Sequence, residues 1–137
     1  MKKVFLDTNI LLDLVQHRDG FYHAVSVLQG AYEKQYDVYA SVLSYANIAY
    51  VLRKESQDRR YQLLSLLEDT VPMLPLMPFD VSNAIAQPVA DFEDMLQYQC
   101  AKAAGCDVIV TNNGRDFAEF CDLPFMTAAE FLEQINK

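Results

Sequence analysis

Asp91–Phe117 reads DFEDMLQYQCAKAAGCDVIVTNNGRDF, and this one stretch sets out a helix, a stop, a strand and a polar loop. Asp91 suits a helix N-cap, and Asp94 falls in the first turn, where the helix dipole favours a carboxylate. The spacing predicts a helix over 91–104, closed by Gly105, whose missing Cβ allows the left-handed turn that ends many helices. Val108-Ile109-Val110 is an apolar β-branched run and predicts a buried strand within Asp107–Thr111. Thr111–Asp116 then reads as the loop leaving that strand's carboxyl end.

The same alternation extends towards the start of the chain. Val4-Phe5-Leu6 predicts a short buried strand that ends on Asp7, and Ile10–Val15 begins a helical pattern. Gln16–Gly20 is a polar loop. A helix over Phe21–Tyr32 is expected to bury Ala24, Val25, Leu28 and Ala31. Asp37–Ser41 is the second strand, and Ser44–Lys54 is a helix with Tyr45, Ile48 and Leu52 on one face. A polar break at Glu55–Arg59 precedes a Leu-rich helix over Arg60–Glu68. The three prolines of Val71–Phe79 restrict that stretch to a short or edge strand. Asp80 is expected to cap a short helix that ends before Pro88. Towards the end, Leu123–Met126 suits a last short strand. Thr127-Ala-Ala-Glu130 is a capping box before Phe131–Ile135.

Strands alternating with helices imply an α/β fold, a three-layer sandwich whose mostly parallel central sheet is covered by helices on both faces. With 137 residues, no internal repeat and no linker, residues 1–137 are expected to form a single domain. A chain of this length buries roughly 70% of its unfolded surface without staples. Its three cysteines, Cys100, Cys106 and Cys121, form no CxxC pair, so neither a disulfide framework nor a zinc site is expected, and a cytoplasmic location is. Asp7 and Asp13 interrupt the opening apolar run, which argues against a signal peptide, and no stretch approaches the ~18 apolar residues of a membrane helix. The net charge of −8 argues against a broad basic nucleic-acid surface and suits a basic protein partner. It leaves room for a nuclease whose acids gather at one centre.

The acids fall in three places with one layout, at strand ends or helix starts: Asp7 in LDTN, Asp91 and Asp94 in DFED, and Asp116 in TNNGRDF. In open parallel sheets, sites form outside the carboxyl ends of the strands, so Asp7 and the loop through Asp116 can meet there. Each acid alone also has a structural reading. Asp7 could cap the Ile10 helix, Asp91 could cap its own, and Asp116 with Glu119 fits a capping box. Taken together, the layout favours convergence. Converged carboxylates repel one another and call for a cation, and oxygen donors at this density suit Mg²⁺ or Mn²⁺. His17 and His23 have no partner at metal-ligand spacing, and no phosphate-binding glycine loop is present. An acidic pair after the first strand, as in a receiver domain, is missing. So is the Asp-x-Asp of a haloacid-dehalogenase phosphatase, since this chain has Asp7-Thr8-Asn9.

LDTNILLDL together with DFEDMLQYQCAKAAGCDVIVTNNGRDF resembles the PIN domain, and within it the bacterial VapC-like branch. The resemblance spans nearly the whole chain. It implies a metal-dependent endoribonuclease acting on single-stranded RNA, using Mg²⁺ or Mn²⁺ to polarise the scissile phosphate. In a toxin–antitoxin pair it would also have an antitoxin protein as partner. Carried over, Asp7, Asp94 and Asp116 are the catalytic acids and metal ligands, with Asn113 beside them. Asn9, Asn47, Asp91 and Thr111 are supporting residues. Relatives commonly carry a Glu where Asn47 stands and an Asp where Asn113 stands. The resemblance therefore also admits a catalytically weakened PIN fold that binds RNA or protein. Arg115 and Arg18 are candidate phosphate contacts. A homodimer is expected, as in PIN relatives, with the Tyr45–Leu52 helix offering apolar surface.

Overall fold

The computed structural model describes residues 1–136. Five parallel strands form one sheet in the order β3-β2-β1-β4-β5: β1 (Lys3–Leu6), β2 (Asp37–Ser41), β3 (Met73–Leu74), β4 (Val108–Val110) and β5 (Phe125–Met126). Every pairing is parallel, with Phe5 opposite Tyr39 on one side and Ile109 on the other. Parallel strands need crossovers, and helices supply them. These are α1 (Thr8–Val15), α2 (Phe21–Tyr32), α3 (Val42–Val51), α4 (Gln57–Thr70), α5 (Pro78–Ala86), α6 (Phe92–Ala103), α7 (Gly114–Phe117) and α8 (Ala128–Ile135).

Side chains alternate across the sheet, so each strand feeds two cores. Val4, Leu6, Val38, Val108 and Val110 pack with Ile10, Leu11, Val27, Ile48, Leu67 and Phe131 on one face. Phe5 and Ile109 pack with Met95, Tyr98, Cys100 and Phe117 on the other. This is the three-layer α/β sandwich expected from the alternating pattern. Among the described residues, no helix is long and apolar enough to cross a membrane.

Several local expectations shift for identifiable reasons. Helix α1 starts at Thr8 rather than Ile10, because Asp7 is its N-cap and accepts from Thr8 N at 2.8 Å. Helix α2 has the expected bounds, and Ala24, Leu28 and Ala31 pack on the core as expected. It buries Ala24, Val27 and Gly30, while Val25 is exposed. Gly30 leaves room for the Tyr36 ring, whose hydroxyl donates to Val27 O at 2.7 Å. Helix α3 starts at Val42 because Ser41 Oγ accepts from Leu43 N, and its end tightens into a 3₁₀ turn at Leu52–Lys54. Ser56 caps α4 three residues earlier than expected. Asp80 sits inside the first turn of α5, where its carboxylate accepts from Met77 N at 2.8 Å. Asp116 lies within α7, and no capping box forms between it and Glu119 among the described residues.

The expected apolar surface on α3 is also corrected. Ile48 and Leu52 are buried, and Tyr45 packs against the core with its hydroxyl donating to Val71 O at 3.2 Å. Tyr50 is the tyrosine of this helix that points outward, 66% exposed.

Candidate metal centre at the carboxyl end of the sheet

The chain leaves β1 in one direction to reach β2 and β3, and the other side of β1 is taken by β4 and β5. The order therefore reverses between β1 and β4, and the crevice outside their carboxyl ends is where α/β sheets bind ligands. Asp7 follows β1 directly, and Thr111 follows β4. A pocket of about 510 Å³ opens here, and Asp7, Asp91, Glu93, Asp94, Asn47 and Asn113 all line it.

Asp7 is buried and held from three sides. Thr8 N donates to Oδ1 at 2.8 Å, while Asn9 Nδ2 at 3.1 Å and Thr111 Oγ1 at 2.7 Å donate to Oδ2. Asn9 reaches further, because its Oδ1 accepts from Asn112 N at 3.1 Å and so ties β1's end to β4's. Thr111 Oγ1 also accepts from Asn113 N at 2.9 Å. Burial raises the Asp7 carboxyl above its ordinary value of 3.8; the Thr111, Thr8 and Asn9 bonds oppose the rise, and the charge of Asp91 adds to it.

Asp94 is placed by α6. Its backbone N–H donates to the N-cap Asp91 Oδ1 at 3.0 Å, which aims the first turn at the pocket. Asp91, Asp94 and Asp116 each present a carboxylate oxygen within 4.8 Å of the others. Asp94 is 7% exposed, and its Oδ2 has no hydrogen-bond partner. Burial, followed by the charges of Asp7, Asp91, Asp116 and Glu93, pushes its pKa to about 7. A buried carboxylate oxygen with no donor, in a field of like charge, is relieved by taking up a proton or by a cation. An all-oxygen donor set fits Mg²⁺ or Mn²⁺ rather than a softer metal.

The anticipated residues thus distribute unevenly. Asp7, Asp94, Asn113, Asn9, Asn47 and Asp91 line one pocket, and Asp116 joins through its contact with Asp91 and Asp94. The tight triad includes Asp91, which had been expected only to support the site, while Asp7 faces it across the pocket. Thr111 is fully buried behind Asp7. Neither Arg115 nor Arg18 lines this pocket; Arg18 lines a separate recess with Asp13, Asp19 and Asn112.

Sequence reasoning passed over a floor of uncharged polar groups. Gln97 Nε2 donates to Thr8 Oγ1 at 2.9 Å and to Ser44 Oγ at 3.0 Å, and the two hydroxyls lie 2.8 Å apart. Gln97 follows Asp94 by three residues and so shares its helix face, which was the available signal. Glu93 and Tyr50 were also missed. Both line the pocket, and Glu93 stands in the DFED motif itself.

A family model described as PIN domain matches residues 3–115. Ribonuclease VapC1 of Aquifex aeolicus (strain VF5) is 28% identical over 144 residues, spanning 98% of this chain and 96% of that protein. Among solved structures, VapBC2 from Rickettsia felis, bound to a promoter DNA fragment, superposes with a TM-score of 0.70 at 18% identity, covering 90% of this chain and 96% of that one. Mycobacterium tuberculosis VapC20, a toxin that cleaves the sarcin-ricin loop, superposes with a TM-score of 0.67 at 14% identity, covering 86% and 95%. The strand order, the acids at the β1 and β4 ends and a family match over most of the chain agree: this chain belongs to the PIN-domain family, and VapC-type proteins are among its relatives.

Proposed function

We propose that this protein is a divalent-metal-dependent endoribonuclease acting on single-stranded RNA. The observation that carries the reading is Asp94, a buried carboxylate with no donor to Oδ2, set among Asp7, Asp91 and Asp116 at the switch point of the sheet. The relative named Ribonuclease VapC1 supports hydrolysis of RNA phosphodiesters. Asp7, Asp94 and Asp116 would hold Mg²⁺ or Mn²⁺, with Asp91 and Asn113 completing the oxygen set. When bound, the ion would supply Lewis-acid polarisation of the scissile phosphate.

The chain's own residues do the rest. Three donors fix Asp7, so its carboxylate needs no reorganisation when substrate arrives. Gln97, Thr8 and Ser44 form a hydrogen-bonded polar floor. Tyr50 stands at the pocket rim, with the Arg53 guanidinium 4.1 Å from its ring centre. An exposed aromatic ring can stack on an unpaired base, which favours single strands over duplex. That Arg also places a positive charge beside an acidic mouth, in a chain of net charge −8.

Toxin–antitoxin complexes among the fold's neighbours support an antitoxin protein as partner, and a homodimer belongs to the same reading. A second reading, a PIN fold that binds RNA without cutting it, is favoured by the uncharged Asn47 in the pocket wall. Incubation of a mixed RNA pool and of duplex DNA with the protein, in Mn²⁺ or in chelator, separates the two. Cleavage of the RNA only when metal is present is expected. RNA retention on a filter with no cleavage under any metal would establish the binding module instead.

A further inference from the structure

Asn47 on α3 and Glu93 on α6 meet across the pocket, where Asn47 Nδ2 donates to Glu93 Oε2 at 3.3 Å. Helix α3 contributes Asn47, Tyr50 and Val51 to the pocket wall, and none of these carries a negative charge. A Glu at an exposed helix start normally extends into water, because holding so flexible a side chain in one place is entropically costly. Here the Asn47 amide holds it at the wall of the pocket that Asp94 also lines. Bringing another carboxylate near a buried acid whose Oδ2 lacks a donor is unfavourable unless a cation lies between them or the acid takes up a proton.

We propose that Glu93 is a ligand of the bound cation, directly or through water, and that Asn47 is the positioning residue that turns its carboxylate inward. The charge that α3 does not supply thus comes from α6. This inference rests on the reading that the pocket takes a divalent cation. Its chemistry is that of a hard oxygen donor, which suits Mn²⁺ and Mg²⁺.

Isothermal titration of the full chain with Mn²⁺, with no RNA present, tests it. Five forms are compared: wild type, Asp94→Asn, Glu93→Gln, Asn47→Ala, and Glu93→Gln combined with Asn47→Glu. Wild type binds, and Asp94→Asn does not. Glu93→Gln weakens binding by about tenfold or more, as loss of a ligand or its support does. Asn47→Ala weakens it less. The combined variant recovers most of the lost affinity, because Asn47→Glu returns a carboxylate to the same corner; a residue that merely supported the fold would not be rescued this way. Glu93 is exposed and Asn47 is half-buried, so circular dichroism is expected to show every form folded. Wild-type affinity in Glu93→Gln, with binding lost in Asp94→Asn, overturns the role of Glu93 and leaves the pocket reading standing. Failure of the wild type itself to bind Mn²⁺ overturns both.

Discussion

Two helices of this protein begin with the same local pattern, a capping side chain followed three residues later by an acid. At the start of α8, Thr127 Oγ1 accepts from Glu130 N at 3.1 Å, and the Glu130 carboxylate accepts in turn from Thr127 N at 3.0 Å. At the start of α6, Asp91 Oδ1 accepts from Asp94 N at 3.0 Å, but Asp94 makes no return bond among the described residues, and its Oδ2 is buried without a partner. The Glu130 carboxyl lies below its ordinary value of 4.5 because the Thr127 bonds favour the charged form. The Asp94 carboxyl is pushed up to about 7 by burial and by its acidic neighbours. One helix start is a finished piece of local structure. The other leaves a buried carboxylate oxygen without a partner. The capping pattern alone does not distinguish them; what packs against each does.

The largest expected effect comes from removing the unfinished acid. Asp94→Asn should lower Mn²⁺-dependent RNA cleavage at least ~100-fold, because it removes charge that the phosphoryl transition state relies on. The same substitution should raise the melting temperature of the metal-free protein, since a neutral amide relieves the crowding of like charge. Cleavage assays and thermal melts in chelator read both effects. A variant that loses activity and also melts lower without metal would mean that Asp94 is an ordinary structural residue.

Asp7 offers a sharper contrast within the same pocket. Its two oxygens accept three hydrogen bonds, so Asp7→Asn must turn an NH₂ towards one of those donors. The change should abolish cleavage and also cost about 1–3 kcal/mol of stability, the penalty for a buried group left unsatisfied. Urea unfolding measures the second part. An unchanged midpoint would show that the donors around Asp7 tolerate the amide.

The pH dependence of the two helix starts should carry opposite signs. Because folding raises the Asp94 pKa from 3.8 to about 7, the folded state holds a proton that the unfolded chain has released. Its contribution is therefore favourable below that window and is lost as pH rises through it. Glu130 behaves the other way: its contribution is present above its ordinary value of 4.5 and is lost as pH falls through its lowered folded value. Melting temperature against pH in chelator should fall towards neutrality, Asp94→Asn should flatten that fall, and Mn²⁺ should reverse it as the ligands lose their protons. A flat profile in the metal-free wild type would remove the argument from charge crowding.

The smallest effect belongs to the finished helix start. Thr127→Ala should cost about 1 kcal/mol, the usual loss for a capping side chain, and leave the cleavage rate as it was. A change in rate would mean that α8 is coupled to the pocket through β5, whose Met126 lies directly before Thr127.

The sequence by itself determined the layers. Short apolar runs such as Val4-Phe5-Leu6 and Val108-Ile109-Val110 can be satisfied only by burial on both faces, and the segments between them have the period of helices. It also determined that an acid stands at the end of β1, because Asp7 ends the apolar run and caps the helix that follows. Asp7 was legible for that reason, Asp94 from its place in the first turn of a helix, and Asp116 from the loop after a strand. The helix boundaries drifted wherever a Ser or Asp cap outweighed the apolar pattern, as at Asp7, Ser41 and Ser56. The tertiary structure decided what surrounds each acid. Placing β4 beside β1 sets Thr111 against Asp7, and packing α6 over the same sheet end brings Asp94 to Asp7 without giving it a donor. Those contacts join residues about a hundred positions apart. Hydrogen-bond satisfaction and charge repulsion are properties of such neighbours in space, and no local pattern in the chain encodes them. For the same reason Gln97, Glu93 and Tyr50 meet only in the pocket that the folded chain forms.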